Sequence, residues 1–224
     1  MFFHKHPYPP YIPEGTKKLI VGTLPPPRFS TGDLLEKDVD FCYGSYYNSL
    51  WLFIDKIYNL NLSFDHSEEA IQQRKEFLIN YQIGVCDIVE SCERDKIDAS
   101  DLGMQNIVLR DLIGYLKKHT TINTLLFTGG NSKNGPEYFF RKHIRDYSIK
   151  LEVLNDEIPR IHQFELDNRK IKTISLTSPS GAANRAVGSI PLYRKLKQEN
   201  PEFTTFDFRV MQYRDYFVKE EIEL

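Results

Sequence analysis

A chain of 224 residues can bury a substantial core, and 41% hydrophobic with 27% charged residues is the balance of a globular domain. No run approaches the roughly 18 apolar residues of a membrane span, and the opening MFFHKHPYPPYIPEG lacks the apolar stretch of a signal peptide, so a cytoplasmic protein is expected. Cys42, Cys86 and Cys92 form no CxxC pair and are too few for a four-thiolate iron–sulfur cluster, and a net charge of −2 leaves any nucleic-acid role to rest on local charge.

The first predicted element is a buried strand over 18–24, KLIVGTL, apolar throughout as a strand covered on both faces must be. It runs into PPPRF, where Gly22 permits close backbone approach and Pro25, Pro26 and Pro27 make a stiff, extended loop with few N–H donors, unlike a P-loop. This loop either covers a sheet edge or walls a site. Next comes FCYGSYYNSLW, with Tyr43, Gly44, Tyr46, Tyr47, Asn48 and Trp51 just before a helix that Asn48 is placed to N-cap. Its aromatics suit an ordinary core and equally a nucleobase pocket. The helix itself carries Leu50, Trp51, Ile54, Ile57 and Tyr58 at helical spacing.

A second strand over 83–89, IGVCDIV, opens an acidic stretch holding Asp87, Glu90, Glu93, Asp95, Asp98 and Asp101. Such a run is ordinarily a solvated loop, with Asp87 distinguished by lying inside the strand. QNIVLRDLIGYLKKH places Ile107, Leu109, Leu112, Ile113 and Leu116 on one helical face. A third strand over 123–129, NTLLFTG, ends at Gly129 and Gly130, which permit either close backbone approach to a ligand or a left-handed turn, and a helix follows in GPEYFFRKHI. SIKLEVLND and IHQFELDNRKIK read as further extended segments, the second with a turn at Asp167 and Asn168. The fourth core strand, 172–178, KTISLTS, runs into SPSGAANR, a tight turn of small residues before a helix carrying Arg185, Arg194, Lys195 and Lys197. Free amides at such a helix start suit an anion.

Strands alternating with helices predict an α/β fold: a three-layer α/β/α domain over residues 1–200 around a mostly parallel four-stranded sheet, with ligands beyond the carboxyl ends of the strands. Residues 201–224, alternating aromatic and charged, are expected to add a strand and helix packed on that domain or to form an oligomer contact. The histidines, His4, His6, His66, His119, His143 and His162, show no metal spacing, so no metal site is expected. Ser178 and Ser180 stand outside any G-x-S-x-G elbow.

In this order, LIVGTLPPP, YGSYYNSLW, GVCDIVESCER, LLFTGG and LTSPSGAANR resemble the uracil-DNA glycosylase superfamily, nearest to its mismatch-specific uracil, thymine and hypoxanthine branches, over roughly residues 7–198. The resemblance implies hydrolysis of the N-glycosidic bond of a deaminated base, uracil or hypoxanthine, flipped out of DNA, without metal or organic cofactor. It implies that Gly22, Thr23, Leu24, Tyr43 and Asp87 face the base, that Tyr43 stacks on it, and that Asn48 positions the attacking water. Ser178, Ser180 and the amides of Gly181 and Ala182 would hold phosphates, and Ala182, Ala183, Asn184 and Arg185 would fill the gap left in the duplex. The chain departs from the family at Leu24, where an Asn or Asp is usual, and at Ala182 and Ala183, where a bulky wedge is common. Leu24 keeps open a non-catalytic binder of nucleic acid or nucleotides on the same fold, and the acidic run keeps open a metal-dependent small-molecule enzyme.

Overall fold

Four short runs whose side chains are largely buried on both faces form the centre of a larger sheet. The structure is a computed structural model and describes residues 1–218. In chain order the strands are β1 (Phe2–Lys5), β2 (Lys18–Gly22), β3 (Ile83–Asp87), β4 (Val89–Arg94), β5 (Gln105–Leu109), β6 (Thr124–Phe127), β7 (Glu152–Asn155), β8 (Arg160–Leu166) and β9 (Arg169–Ser175). The helices are α1 (Pro27–Thr31), α2 (Leu50–Tyr58), α3 (Glu68–Asn80), α4 (Leu112–Lys118), α5 (Pro136–His143), α6 (Asn184–Ser189), α7 (Pro191–Glu199) and α8 (Thr205–Phe217).

The main sheet has the order β3-β2-β6-β9-β8-β7, parallel from β3 to β9 and antiparallel beyond. Successive residues of the central strands feed opposite cores. Ile20, Val85, Leu126 and Ile174 pack with α2, α3 and α8, while Leu19, Val21, Cys86 and Phe127 pack with α4 and α5. The result is a three-layer α/β/α domain, as predicted, with six strands rather than four: the two extended segments after α5 join the edge as a hairpin. Its turn residues Asp167 and Asn168 both lie in the left-handed region, at φ 50° and 61°.

Other expectations are corrected. Residues 105–109, read as helical, are strand β5, and the helix starts at Leu112 because the Asp111 carboxylate accepts the Gly114 amide at 2.9 Å. β5 joins β4 and β1 in a separate antiparallel sheet of order β1-β4-β5. Pro27 does not extend the proline loop but starts α1, where its missing N–H costs nothing. Ser49, not Asn48, is the N-cap of α2. Gly129 and Gly130 do not take positive φ, so no left-handed turn forms there. Within the tail, 205–217 is a helix with a Thr204–Asp207 capping box and no added strand forms among the described residues; 219–224 lie outside them. Among the described residues no helix is long and apolar enough to cross a membrane, and Cys42, Cys86 and Cys92 are buried, free thiols.

β1 is tied to β4 through two fully buried polar side chains, the Arg94 Nε donating to His4 Nδ1 at 3.0 Å. Burial, then the Arg94 and His6 charges, lowers the His4 pKa to about 4. Because the unfolded chain takes up this proton near pH 6.5, stability is full above that value and is lost as pH falls from 6.5 towards 4, by on the order of 3 kcal/mol. Urea unfolding of wild type and His4→Gln at pH 7, 5.5 and 4 isolates this contribution from the groups that titrate beside it, such as Asp101: relative to the variant, wild type is expected to lose stability steadily across that window.

Candidate functional site

The parallel strands β3, β2, β6 and β9 end side by side, and the loops leaving them enclose a cleft of ≈ 550 Å³. Gly22, Thr23, Leu24, Tyr43, Asn48, Asp87, Ser178, Ser180 and Ala183 all line it. Gly181, Ala182, Asn184 and Arg185 sit exposed on the loop at its rim.

The floor is built over Gly22. A Cβ there would stand 2.6 Å from both Asp87 Oδ1 and the Tyr43 hydroxyl and 3.0 Å from Thr128 Oγ1, so only glycine allows these three oxygens to converge. Asp87 is held from behind. The Tyr8 amide donates to His6 Nδ1 at 3.1 Å, which puts the proton on Nε2, and Nε2 donates to Asp87 Oδ2 at 2.9 Å. Asp87 Oδ1 and the Tyr43 hydroxyl are both shut from solvent beside Gly22, and neither has a hydrogen-bond partner among the described residues. Burial first, then the Asp87 charge, raises the Tyr43 pKa well above its ordinary value, so the phenol keeps its proton.

Tyr43 is fixed in an unfavourable backbone conformation, φ 59°, by the turn around it. The Val39 amide donates to the Gly44 carbonyl at 2.8 Å, and a Cβ on Gly44 would lie 1.8 Å from the Val39 carbonyl oxygen. Buried Trp51 donates Nε1–H to the Cys42 carbonyl at 2.9 Å. Alongside, buried Asp38 accepts two bonds from Arg28, at 2.6 and 3.1 Å, and the amides of Leu35 and Tyr46, while Arg28 also donates to Ser45. Burial works against ionisation of Asp38, but the Arg28 hydrogen bonds and the two amides outweigh it and hold the pKa below the usual range. Asn48 is half-buried on the cleft wall. Its Oδ1 accepts the Leu50 amide at 3.2 Å, and its backbone pairs with Ser180, bringing the aromatic loop against the Ser-Pro-Ser-Gly loop. Tyr47, 71% exposed, stands at the mouth.

The Ser-Pro-Ser-Gly loop spends its hydroxyls on itself: Ser178 Oγ accepts the Ser180 amide and Ser180 Oγ accepts the Ala182 amide, both at 3.3 Å. What fixes the loop is α8. Arg209, 3% exposed, donates to the carbonyls of Ser178 at 2.9 Å and Ser180 at 3.0 Å and to the side chain of Asn184. Gln212 accepts the Thr177 amide at 2.8 Å, and the Tyr213 hydroxyl donates to the Thr177 carbonyl at 2.8 Å. Asn184 is thereby turned towards the scaffold, whereas Arg185 is exposed with no ion-pair partner among the described residues.

Sequence reasoning missed His6, Thr128, Arg28, Asp38 and Asp101 around the cleft, and Arg209, Gln212 and Tyr213 behind its loop. In sequence Asp101 belongs to the acidic run that reads as a solvated loop, yet its side chain turns into the cleft and accepts the Thr23 hydroxyl at 3.0 Å. Burial raises its pKa to about 6, with Asp87 adding to the rise and the Thr23 bond and Arg94 opposing it. Glu90, Asp95 and Asp98 are exposed. Among the described residues no three His, Cys, Asp or Glu side chains gather closely enough to hold a metal ion.

No protein-family model and no curated protein sequence matches the chain. A solved structure does: a putative uracil DNA glycosylase from Methanosarcina acetivorans, determined by solution NMR, superposes with a TM-score of 0.57 at 16% identity, covering 97% of this chain and 100% of that one. The likeness shows that the two share a fold.

Arg209 offers a direct check on how the loop is held. Arg209→Ala strands two partly buried carbonyls and is expected to cost about 1–3 kcal/mol in urea unfolding and to speed hydrogen exchange across residues 178–184. Arg209→Lys, lacking the planar fork, is expected to recover less than half of the loss.

Proposed function

We propose that the protein is a DNA base-excision glycosylase that hydrolyses the N-glycosidic bond of a flipped deaminated base, uracil or hypoxanthine. The observation that carries this reading is a cleft at the strand ends, in which an aromatic floor, an asparagine and a small-residue loop converge at the place where open α/β sheets bind ligands. Its volume of ≈ 550 Å³ lies within the range of small-molecule sites, about 300–1,000 Å³. A fold shared with a putative uracil DNA glycosylase supports the same reading.

In this account DNA binds across the cleft mouth and one nucleotide leaves the stack, since its glycosidic carbon cannot be reached inside a duplex. Gly22, Thr23, Leu24, Tyr43 and Asp87 form the base pocket, with Tyr43 against the base and Asp87 beside the Tyr43 hydroxyl over Gly22. Asn48 presents its amide to the sugar and water. Ser178, Ser180 and the loop backbone at Gly181 and Ala182 meet the flanking phosphates, Ala182 and Ala183 lie against the vacated stack with Asn184 anchored to α8 behind them, and exposed Arg185 adds a cation. The pocket stabilises negative charge on the departing base.

A second reading, binding without catalysis, is favoured by one observation: Leu24 is partly buried against the core below β2 and offers water nothing to bond to.

End-labelled oligonucleotides containing uracil, hypoxanthine, xanthine or a G·T mismatch, incubated with the protein and chelator and then treated with alkali, separate the two. Strand cleavage at uracil or hypoxanthine, reduced at least tenfold in Asn48→Ala, is expected; binding without cleavage on every substrate supports the second reading. Arg185→Ala is expected to weaken binding of all these duplexes alike and to lower the log–log salt slope by about 0.9, which binding titrations at several salt concentrations measure.

A further inference from the structure

We propose that Asp101 is the general base of this glycosylase, delivering from the β4–β5 loop the water-activating group that Leu24 does not provide. The inference rests on the glycosylase reading above and adds a residue to it.

Two carboxylates line the cleft, Asp87 and Asp101. Asp87 is committed: one oxygen bonds His6 and the other is shut in beneath Tyr43. Asp101 is different. Its Oδ1 accepts the Thr23 hydroxyl, in the residue next to Leu24, and its Oδ2 has no protein partner among the described residues. The backbone beneath it is pinned. Asn134 Nδ2 donates to the Asp101 carbonyl at 2.8 Å, and buried Arg94 donates to the neighbouring Ser100 carbonyl at 2.6 Å. A carboxylate held on rigid supports, with one oxygen tethered and one open to a cleft, is the arrangement a positioned proton acceptor requires.

The charged groups facing Asp101 are Arg94 from β4 and Asp87 from the end of β3; the segment before α5 presents uncharged Asn134 and the β2 loop presents Thr23. Burial and Asp87 outweigh Arg94 and Thr23, leaving the carboxyl titrating at about 6, ionised at neutral pH yet more basic than an ordinary aspartate. In the step, water's oxygen forms a bond to the sugar C1′ as Asp101 takes its proton. The C1′–N bond breaks with its electron pair going to the base, which leaves as an anion and is protonated by solvent. Asp101 then returns its proton to solvent.

The test is single-turnover base release from pH 4.5 to 8.5 by wild type, Asp101→Asn and Thr23→Val on whichever deaminated base is cleaved, beside binding to a duplex with a tetrahydrofuran abasic site. Wild-type rate is expected to rise tenfold per pH unit up to about 6 and then level off. Asp101→Asn is expected to fall at least 100-fold and to lose that pH dependence, while binding the abasic duplex within about twofold of wild type. Thr23→Val, lacking the hydroxyl that favours the ionised form, moves the midpoint to higher pH. Because the folded carboxyl titrates above its unfolded value of 3.8, its stabilising effect is lost as pH rises through 6. Relative to wild type, Asp101→Asn is therefore expected to gain more Tm at pH 7.5 than at pH 4.5. Base release that survives in Asp101→Asn with the wild-type profile overturns the assignment alone, as does a variant that melts lower at pH 7.5 and no longer binds. Failure of wild type to release any base overturns the glycosylase reading and the role of Asp101 with it.

Discussion

The site depends on the packing over Gly22. Three neighbouring elements send a polar group to one point: Asp87 from the end of β3, Tyr43 from the aromatic loop and Thr128 from beyond β6, and all three meet where a side chain at Gly22 would stand. Burying these oxygens is unfavourable unless their partners are fixed. The chain fixes them with His6 behind Asp87 and with the turn through Gly44 beneath Tyr43. A tyrosine in the left-handed region carries a local conformational cost, and its persistence shows how strongly the surrounding turn determines it.

From that floor the walls follow. The aromatic loop is locked by Asp38 and Arg28 on one side and pairs with the Ser-Pro-Ser-Gly loop on the other, through Asn48 and Ser180. α8, beyond the reach of the sequence resemblance, supplies the clamp: Arg209, Gln212 and Tyr213 together satisfy backbone groups from Thr177 to Ser180 that the loop cannot satisfy itself. Arg209 uses carbonyls in place of an acid, which burial tolerates because a guanidinium can donate to several acceptors at once. The helix thus contributes to the site without lining its floor.

The centre of the fold was legible because β2, β3 and β6 are apolar on both faces, a pattern that only a covered strand explains, and β9 adds Ile171 and Ile174 among polar residues. The second sheet was not. β5 places Ile107 and Leu109 beside the true helix with a spacing that continues the helical period, and the β4 residues VESCER read as part of an acidic loop. α3 has a weak apolar face and was overlooked, though Ser67 followed by Glu68 and Glu69 is a start signal. At the site, strand ends are readable from sequence, so Gly22, Asp87 and the Ser178 loop were found and do line one cleft. Asp101 was not singled out, because nothing local distinguishes the one acid that turns inward from its solvated neighbours; Thr23 and Asn134, which hold it, lie 78 and 33 residues away.

The central claim is that this cleft receives a nucleotide extruded from DNA. A crystal structure with a duplex carrying a 2′-fluorinated deoxyuridine or deoxyinosine, sugars that resist glycosidic cleavage, tests it most directly. The account predicts the base inside the cleft against Tyr43, the adjacent phosphates on residues 178–185 and C1′ between Asn48 and Asp101. DNA bound on another face, or a duplex with every base stacked and the cleft empty of nucleotide, would contradict it.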